Sequence, residues 1–341
     1  MSGVQGDTAN PAPIAVLGAG SWGTALAIQL ARAGRPTRLW GRDAAQLALL
    51  SRDRTNQRYL PGALFPGALV VEPNLERALA PALDVLVAVP SHAFRATLRA
   101  IAPHLTPGQR VAWATKGFER GSLQLPHQVA REVLGPAVPI AVLSGPTFAR
   151  EVGQGLPTAM TVASPDPAFA EGLVRSISGL NFRGYTSDDI VGVEVGGAVK
   201  NVIAIGTGIA DGMGFGANTR TALITRGLAE MTRLGLALGA RPTTFMGLAA
   251  LGDLVLTCTD DQSRNRRFGL ALAEGLTAEA ALQRIGQVVE GVEAASTVYA
   301  VATQLGVEMP IATAVHRILH EGLSTAEAAR TLMDRQLRAE H

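Results

Sequence analysis

The sequence predicts an α/β domain with a doubly wound parallel sheet, followed by an all-α domain. Two observations support this fold class. In the first half of the 341-residue chain, short runs rich in valine and isoleucine alternate with helix-like segments, and these runs show little period-2 alternation. Such runs are typical of strands that are buried on both faces of a parallel sheet. After Asp189 the strand signal ends, and long segments with helical periodicity follow.

The predicted elements follow from these patterns in chain order. Strands are predicted over residues 14–17, 37–40, 85–89, 111–114, 140–143 and 158–163, and a weaker run over residues 182–185 is a candidate for the last strand. Helices are predicted over residues 191–209, 219–238, 294–305, 311–320 and 325–335. Asp188 and Asp189 are both candidates for the N-cap of the first of these helices. We therefore predict a flexible tail over residues 1–13, a sheet domain over residues 14–189 and a helical domain over residues 190–341.

The composition argues against several classes of protein. Hydrophobic residues make up 47% of the chain and charged residues 17%, which is typical of a globular protein rather than a disordered one. The net charge is only +2 and the arginines are scattered, which argues against nucleic-acid binding. No run of about 18 apolar residues occurs, so we expect no membrane span. The first thirteen residues lack the features of a signal peptide, and Cys258 is the single cysteine, so we expect a cytoplasmic protein.

A glycine-rich turn follows the first predicted strand and reads Gly18-Ala19-Gly20-Ser21-Trp22-Gly23. Between a strand and a helix, the pattern G-x-G-x-x-G is typical of Rossmann-type dinucleotide-binding domains. Gly18 allows a tight turn, Gly20 lets the backbone approach a pyrophosphate, and Gly23 lets the helix pack closely on the strand. The helix N-terminus supplies free N–H groups and the positive end of its dipole. The sequence therefore predicts an NAD or NADP site; the alternative is a glycine-rich turn without a ligand.

The end of the second predicted strand bears on the choice between the two cofactors. An NAD-specific site places an acidic residue there, about 20 residues beyond the glycines. Here Arg42 stands at this end, and Asp43 comes one residue later. An arginine can meet the 2′-phosphate of NADP, so the sequence favours NADPH without excluding NADH. The alternative is that Arg42 is an ordinary solvated arginine.

Only two of the 30 Lys and Arg residues are lysines, Lys116 and Lys200. In such a chain, lysine is expected to persist where a compact, titratable ammonium group is required. Two glycines, Gly196 and Gly197, precede Lys200 inside a helical pattern, which indicates that another group approaches the backbone there. Apolar residues flank Lys200, and they would desolvate its ammonium group and lower its pKa towards the range useful for proton transfer. Lys116 follows a predicted strand, where ligands bind in doubly wound sheets. The alternative for Lys200 is an ammonium group that reaches solvent from an apolar helix.

A third polar cluster runs from Gly252-Asp253-Leu254 to Ser263-Arg264-Asn265, and the latter triplet is predicted to open a helix. Arginine, hydroxyl and free N–H groups at a helix N-terminus can hold a phosphate. A charged surface turn has the same composition, so this cluster alone does not establish a phosphate site.

Together these segments resemble the bacterial-type NAD(P)-dependent glycerol-3-phosphate dehydrogenase family. The matching motifs are GAGSWGTALA from Gly18, VPSH from Val89, ATKG from Ala114, SGPTFARE from Ser144, GGAVKNVIAIGTGIADGMGFGANTRTALITRG from Gly196, MGLAALGDLVLTCTDDQSRNRRFG from Met246 and GQVVEG from Gly286. The resemblance covers both predicted domains, residues 14–332. It implies the interconversion of dihydroxyacetone phosphate and sn-glycerol 3-phosphate, which supplies the backbone of glycerophospholipids.

The resemblance also implies roles for individual residues. It makes Lys200 the proton donor and acceptor. It places further substrate contacts at Lys116, Gly145, Thr147, Asp253, Ser263, Arg264 and Asn265. It places cofactor contacts at Gly18, Gly20, Ser21, Trp22, Gly23, Arg42, Lys116, Ala149, Arg264, Val288 and Glu290. The expected partner is a small phosphorylated substrate, and the Ala- and Leu-rich faces of the helical domain are compatible with a homodimer.

Two other functions stay open. A reductase of keto or hydroxy acids on the same two-domain plan, such as a ketopantoate type, would need a carboxylate pocket instead of a phosphate site. A non-catalytic dinucleotide sensor would leave both lysines dispensable. No metal site is expected, since His316 and His320 have i, i+4 spacing but no third ligand. Cys258 has no catalytic partner in the sequence, and His92 is a candidate for either a cofactor contact or a structural role.

Overall fold

The structure is a computed structural model that describes residues 12–334. Its strands are β1 (Ile14–Leu17), β2 (Thr37–Trp40), β3 (Thr55–Asn56), β4 (Leu60–Leu64), β5 (Leu69–Val71), β6 (Asp84–Val87), β7 (Arg110–Trp113), β8 (Ile140–Ser144), β9 (Thr158–Ala163) and β10 (Phe182–Ser187). Eight of them form one sheet in the order β10-β9-β8-β7-β6-β1-β2-β5, and β3 pairs with β4 separately. The predicted tail lies outside the described residues, apart from Ala12 and Pro13.

The centre of the sheet explains the sequence pattern of the predicted strands. Every residue of β1 and of β6 is buried, because helices cover both faces of the sheet. The six strands from β5 to β8 are parallel, with Ile14 in register with Thr37 on one side and Asp84 on the other. The doubly wound domain and seven of its strands are therefore confirmed. The short strands β3, β4 and β5 were not predicted.

The direction of the last two strands corrects the prediction of a wholly parallel sheet. β9 runs antiparallel to β8, with Val142 opposite Ala163 and Ser144 opposite Thr161, and β10 runs parallel to β9. The pattern of apolar residues reports burial on the two faces of a strand but carries no information on its direction. The sheet is therefore mixed, with a parallel part that carries the glycine-rich turn.

Helices surround the sheet and build the second domain. The sheet domain contains α1 (Ser21–Arg32), α2 (Ala44–Asp53), α3 (Leu75–Leu79), α4 (Ser91–Ile101), α5 (Pro126–Leu134), α6 (Ala149–Gln154) and α7 (Pro167–Ile177). The rest of the described chain contains α8 (Ile190–Gly212), α9 (Ala217–Ala237), α10 (Asp253–Thr259), α11 (Arg264–Ala273), α12 (Ala278–Ile285), α13 (Glu290–Leu305), α14 (Pro310–His320) and α15 (Thr325–Met333). The five predicted helices correspond to α8, α9, α13, α14 and α15, although Arg335 lies outside the described residues.

Helix α8 forms the core of the helical domain. By length and composition alone it could cross a membrane, but 89% of its most apolar window is buried inside the protein. Asp189 is its N-cap, because its carboxylate accepts a hydrogen bond from the backbone N of Gly192 over 2.9 Å. Helix α11 crosses α8 so closely that a Cβ on Gly208 would lie 2.2 Å from the carbonyl oxygen of Arg266. This crossing holds the polar start of α11 against the middle of α8.

Candidate active site

The two lysines of the chain meet on one carboxylate. Lys116 lies three residues beyond β7, Lys200 lies in the middle of α8, and Asp253 is the first residue of α10. Lys200 Nζ donates a hydrogen bond to Asp253 Oδ1 over 2.5 Å, and Lys116 Nζ donates one to Oδ2 over 2.6 Å. Lys200 Nζ also donates to the hydroxyl of Thr257 over 3.0 Å. Residues that are far apart in sequence therefore form a cluster of two ammonium groups around one carboxylate.

Burial and the neighbouring charges together determine the pKa values of this cluster. The side chains of Lys200, Lys116 and Asp253 are 10%, 13% and 2% exposed. Burial lowers the pKa of Lys200 to about 8, although Asp253 opposes this shift and Lys116 adds to it. The predicted desolvation of Lys200 is thus confirmed, and no snorkelling lysine is found at this position. Burial alone would raise the pKa of Asp253, but the two ammonium groups outweigh it and hold that pKa below its usual value.

Small residues allow the two domains to approach each other at this cluster. A Cβ on Gly197 would lie 3.2 Å from Cγ of Lys116, so this glycine accepts the stem of the lysine against α8. A Cβ on Gly196 would lie 2.7 Å from the carbonyl oxygen of Ala249, in a π-helical turn over Leu248–Gly252 that leads into α10. The two glycines that the sequence singled out therefore admit Lys116 on one side and the segment before Asp253 on the other.

A second group of hydrogen-bonded polar side chains begins at Asn201, which directly follows Lys200 on α8. Asn201 Nδ2 donates a hydrogen bond to Glu290 Oε2 over 3.2 Å, and Asn265 Nδ2 donates one to Asn201 Oδ1 over 2.8 Å. Asn265 Oδ1 accepts a hydrogen bond from the backbone N of Gly291 over 2.9 Å. Glu290 and Asn265 were predicted as site residues, whereas Asn201 was missed. Its only signal in the sequence is that it directly follows Lys200.

Thr257 is a second residue that sequence reasoning missed. Its hydroxyl accepts from Lys200 Nζ and itself donates to the backbone oxygen of Asp253 over 2.6 Å. Thr257 stands four residues after Asp253, so both side chains lie on one face of α10. This i, i+4 spacing is the signal that could have found it.

The predicted Ser-Arg-Asn triplet does open a helix. Ser263 is the N-cap of α11, and its hydroxyl oxygen accepts a hydrogen bond from the backbone N of Arg266 over 3.2 Å. Arg264 follows as the first helical residue, and among residues 12–334 no hydrogen bond or ion pair engages its guanidinium group. Arg266 differs, because it pairs with Asp211 over 2.8 Å and also with Asp261. Of these two arginines, Arg264 is therefore the one that is available to a ligand.

The glycine-rich turn has the shape that a dinucleotide requires. Gly18 has a φ of +122°, and a Cβ on it would lie 2.3 Å from the carbonyl oxygen of Ala88. A Cβ on Gly23 would lie 1.9 Å from the carbonyl oxygen of Gly18, which shows how closely α1 packs on the turn. Around Gly20, by contrast, nothing lies within 4 Å of an added Cβ. Open space beside the uncapped N-terminus of α1 fits a pyrophosphate, and Ser21 and Trp22 are the first two residues of that helix.

Arg42 and Asp43 have different environments at the end of β2. Asp43 is the N-cap of α2, and its carboxylate accepts hydrogen bonds from the backbone N atoms of Ala45 and Gln46 over 3.0 and 3.1 Å. Arg42 is exposed, and within the described part of the chain no hydrogen bond or ion pair engages it. The Asp43 carboxylate therefore caps α2, while the Arg42 guanidinium group is available to a ligand.

The remaining predicted positions lie on loops and at helix ends. Gly145 and Thr147 belong to the turn after β8, where Pro146 Cγ would lie 3.6 Å from a Cβ on Gly252, next to Asp253. Ala149 is the first residue of α6. Val288 is 51% exposed on the loop before α13, and the structure gives it no contact with the lysines.

Cys258 and His316 have environments that set them apart from the two lysines and Asp253. Cys258 is buried, and burial raises the pKa of its thiol to about 12, so it is not a nucleophile at neutral pH. His316 stacks on Tyr299 with ring centroids 4.0 Å apart. Among the described residues, no group of three or more His, Cys, Asp or Glu side chains could hold a metal ion. His92 Nδ1 lies 3.7 Å from Glu293 Oε2 on α13, so this histidine faces the helical domain.

The sequence matches known proteins over most of its length. The models for the N-terminus and the C-terminus of NAD-dependent glycerol-3-phosphate dehydrogenase match residues 13–170 and 189–330. The glycerol-3-phosphate dehydrogenase [NAD(P)+] of Pseudoalteromonas translucida is 57% identical over 96% of this chain and 98% of its own length. That of Yersinia pestis is also 57% identical, over 96% of each chain.

Solved structures agree with these sequence matches. A crystal structure of glycerol-3-phosphate dehydrogenase from Coxiella burnetii has a TM-score of 0.92 and 48% identity, and covers 95% of this chain and 99% of that one. A ketopantoate reductase from Ralstonia eutropha has a TM-score of 0.58 over 93% and 99% of the two chains, and its 16% identity shows a shared fold alone. The chain belongs to the NAD-dependent glycerol-3-phosphate dehydrogenase family.

Proposed function

We propose that this NAD(P)-dependent oxidoreductase interconverts dihydroxyacetone phosphate and sn-glycerol 3-phosphate, with Lys200 as the proton donor and acceptor. The observation that carries the proposal is the pair of buried ammonium groups that share Asp253, at 2.5 Å from Lys200 and 2.6 Å from Lys116. Reduction of a ketone leaves negative charge on its oxygen, and that charge must be neutralised as it forms. A cationic donor held at a fixed position meets this need.

The ionisation of Lys200 suits both directions of the reaction. Because burial lowers its pKa to about 8, ammonium and amine forms are both populated near neutral pH. The ammonium form can give a proton to the carbonyl oxygen of dihydroxyacetone phosphate, and the amine form can take one from the hydroxyl group of glycerol 3-phosphate. The Asp253 carboxylate raises the pKa of Lys200 and so favours its ammonium form, whereas the Lys116 ammonium group lowers that pKa. In this account Lys116 orients the substrate oxygen and leaves the proton transfer to Lys200.

The phosphate group of the substrate is assigned to the start of α11. Arg264 has a free guanidinium group, Ser263 supplies a hydroxyl, and the helix N-terminus supplies its positive dipole end. Asn265 has one N–H that is not used in its hydrogen bond to Asn201. Gly145 and Thr147 would border the substrate from the turn after β8. This cluster favours a phosphorylated substrate over a simple keto acid.

The cofactor is assigned to the glycine-rich turn, and when bound it supplies the hydride. Gly18, Gly20 and Gly23 shape the turn, and Ser21 and Trp22 open the helix above it. Further contacts are assigned to Lys116, Ala149, Arg264, Val288 and Glu290. Arg42 would meet a 2′-phosphate, so we propose that NADPH is preferred to NADH. In these terms residues 14–189 form the dinucleotide-binding domain and residues 190–341 the substrate-binding domain, and each domain also contributes contacts to the ligand of the other.

The metabolic role, the cellular location and the oligomeric state are also proposed. Glycerol 3-phosphate made here would supply the backbone of glycerophospholipids, and the enzyme would act in the cytoplasm. A homodimer formed through the helical domain is proposed from its Ala- and Leu-rich faces.

Loss of NADPH absorbance on addition of dihydroxyacetone phosphate tests the activity directly. We expect turnover with dihydroxyacetone phosphate and none with ketopantoate, since the Ser263-Arg264-Asn265 cluster is assigned to a phosphate. Turnover with ketopantoate instead would favour the keto-acid reductase. Binding of NADPH without turnover of either compound would favour a dinucleotide sensor.

A further inference from the structure

We propose that Glu194 is a positioning residue that fixes α8 against the end of β7 and thereby sets the separation of Lys200 and Lys116. The inference rests on the roles proposed above for these two lysines. Glu194 stands on α8, six residues before Lys200. It is not among the residues to which the family resemblance assigns a contact with substrate or cofactor.

The Glu194 carboxylate is buried where the two domains meet, with its side chain 1% exposed. Trp113 Nε1 and the backbone N of His127 donate hydrogen bonds to Oε1 over 3.0 and 2.9 Å. His127 Nδ1 lies 2.5 Å from Oε2. Trp113 is the last residue of β7, and His127 is in the first turn of α5. The carboxylate therefore joins α8 to two elements of the sheet domain.

Stability alone does not account for a carboxylate at this position. Burial raises the pKa of Glu194, against the opposing effects of His127 and Trp113. Removing a carboxylate from water costs free energy, and well-packed apolar residues of similar volume are often equally stabilising. Three directed hydrogen bonds instead specify one arrangement of the packed elements. The register of α8 on β7 is the property that they define.

The elements that Glu194 joins carry the two lysines, because Lys116 follows β7 and Lys200 lies on α8. Trp113 precedes Lys116 by three residues, and Glu194 precedes Lys200 by six, which is about 9 Å along a helix. The two ammonium groups meet on Asp253 at 2.6 and 2.5 Å. Helix α10, which carries Asp253, packs on α8 and would move with it. Hydrogen bonds of this type extend to about 3.2 Å, so a slide of α8 by about 1 Å relative to β7 would break the contact between Lys116 and Asp253.

Two substitutions separate the geometry of Glu194 from its charge. In Glu194→Gln the amide oxygen can accept from Trp113 and the backbone of His127, and the amide nitrogen can donate to Nδ1 of a neutral His127. Glu194→Leu has a similar size but accepts no hydrogen bond. We expect Glu194→Gln to keep kcat within about threefold of wild type, since its hydrogen bonds remain. Glu194→Leu should lose about 10- to 100-fold in kcat, the scale of a misplacement of about 1 Å.

The pH dependence of kcat for ketone reduction distinguishes a positioning role from a general loss of stability, because a loss of stability does not shift the pH profile. The charged groups that face the Lys200 ammonium are Asp253, Lys116 and Glu290. When Lys116 leaves Asp253, Lys200 loses a nearby cation and its pKa rises. In the pH profile, kcat falls at alkaline pH as Lys200 loses its proton, and we call this fall the alkaline limb. The alkaline limb should therefore move to higher pH in Glu194→Leu. It should stay in place in Glu194→Gln.

Asp84→Asn is the matched control. Asp84 is also fully buried, and it pairs with Arg35 and Arg110. It is the first residue of β6, so it lies at the ends of the strands opposite to Trp113, the last residue of β7. This variant should lower the melting temperature without moving the alkaline limb. The proposal is overturned if Glu194→Leu keeps a normal kcat and an unmoved limb. A loss in Glu194→Gln as large as in Glu194→Leu would overturn it too, because charge and not geometry would then carry the effect.

A second variant keeps the test decisive if Glu194→Leu does not fold. His127→Ala removes one of the three hydrogen bonds at a residue whose side chain reaches the surface. Its alkaline limb should move in the same direction, and an unmoved limb would again overturn the proposal. These outcomes are separate from failure of the proposed function, in which the wild-type enzyme would not reduce dihydroxyacetone phosphate.

Discussion

Replacing Asp253 by asparagine removes the charge that the two lysines share. Asp253→Asn keeps the size of the side chain and one acceptor oxygen, but it removes the carboxylate that both buried ammonium groups contact. Asp253 is the principal group that raises the pKa of Lys200 against burial, and Lys116 lowers it. The substitution removes the larger raising effect, leaves the smaller one of Glu290, and keeps both lowering effects in place. The pKa of Lys200 must therefore fall from its value of about 8.

The size of this effect follows from the short distance between the charges. Lys200 Nζ lies 2.5 Å from Asp253 Oδ1. An opposite charge within about 4–6 Å shifts a pKa by about one to three, so the pKa of Lys200 should fall to neutrality or below. Each tenfold change in protonation corresponds to about 1.4 kcal/mol. At pH 7.5 the protonated fraction of Lys200 should therefore drop by about threefold for a shift of one and by about 200-fold for a shift of three, and the rate of ketone reduction with it.

The assay is the pH profile of kcat for reduction of dihydroxyacetone phosphate. We expect the alkaline limb to move to lower pH in Asp253→Asn. Asp260→Asn is the control, because it removes a carboxylate from the other end of α10 that hydrogen-bonds the backbone of Gln262 and not a lysine. Its limb should coincide with that of wild type. A limb that stays in place in Asp253→Asn would refute the reasoning, since Asp253 would not then control the ionisation of Lys200.

Two further substitutions test the assigned ligand contacts. Arg42→Ala should weaken NADPH binding more than NADH binding, by about 1.5–3 kcal/mol, the range for a hydrogen bond to a charged group. Equal losses of affinity for the two cofactors would show that Arg42 does not contact the 2′-phosphate. Arg264→Lys keeps the charge but loses the planar fork that matches a phosphate, so it should raise the KM for dihydroxyacetone phosphate. An unchanged KM in this variant would contradict the assignment of Arg264.

Much of the fold follows from local sequence patterns. The strands at the centre of the sheet were predicted because residues such as those of β1 are buried on both faces and are therefore apolar throughout. The glycine-rich turn was predicted because Gly18 and Gly23 leave no room for a Cβ, a constraint that selects glycine. The direction of β9 could not be predicted, because burial on two faces is the same for parallel and antiparallel strands.

The candidate site was predictable in its residue types but not in its pairings. Lys200 was recognisable because its apolar neighbours lie on the same helix and desolvate it. That one carboxylate holds both lysines depends on the approach of Gly197 to the stem of Lys116, which only the tertiary structure reveals. The link from Asn265 to Asn201 likewise joins residues 64 apart in sequence. Sequence spacing carries no signal for such contacts.

The role of Lys200 is tested most directly by the kcat of Lys200→Arg, measured beside the affinity of the variant for NADPH. The guanidinium group keeps the positive charge beside Asp253, but its pKa lies so far above neutrality that it gives up no proton near pH 7. We predict that the variant folds, binds NADPH and loses at least about 10²-fold in kcat, the lower end of the range for general acid catalysis. Retention of more than about a tenth of the wild-type kcat would contradict proton transfer by Lys200.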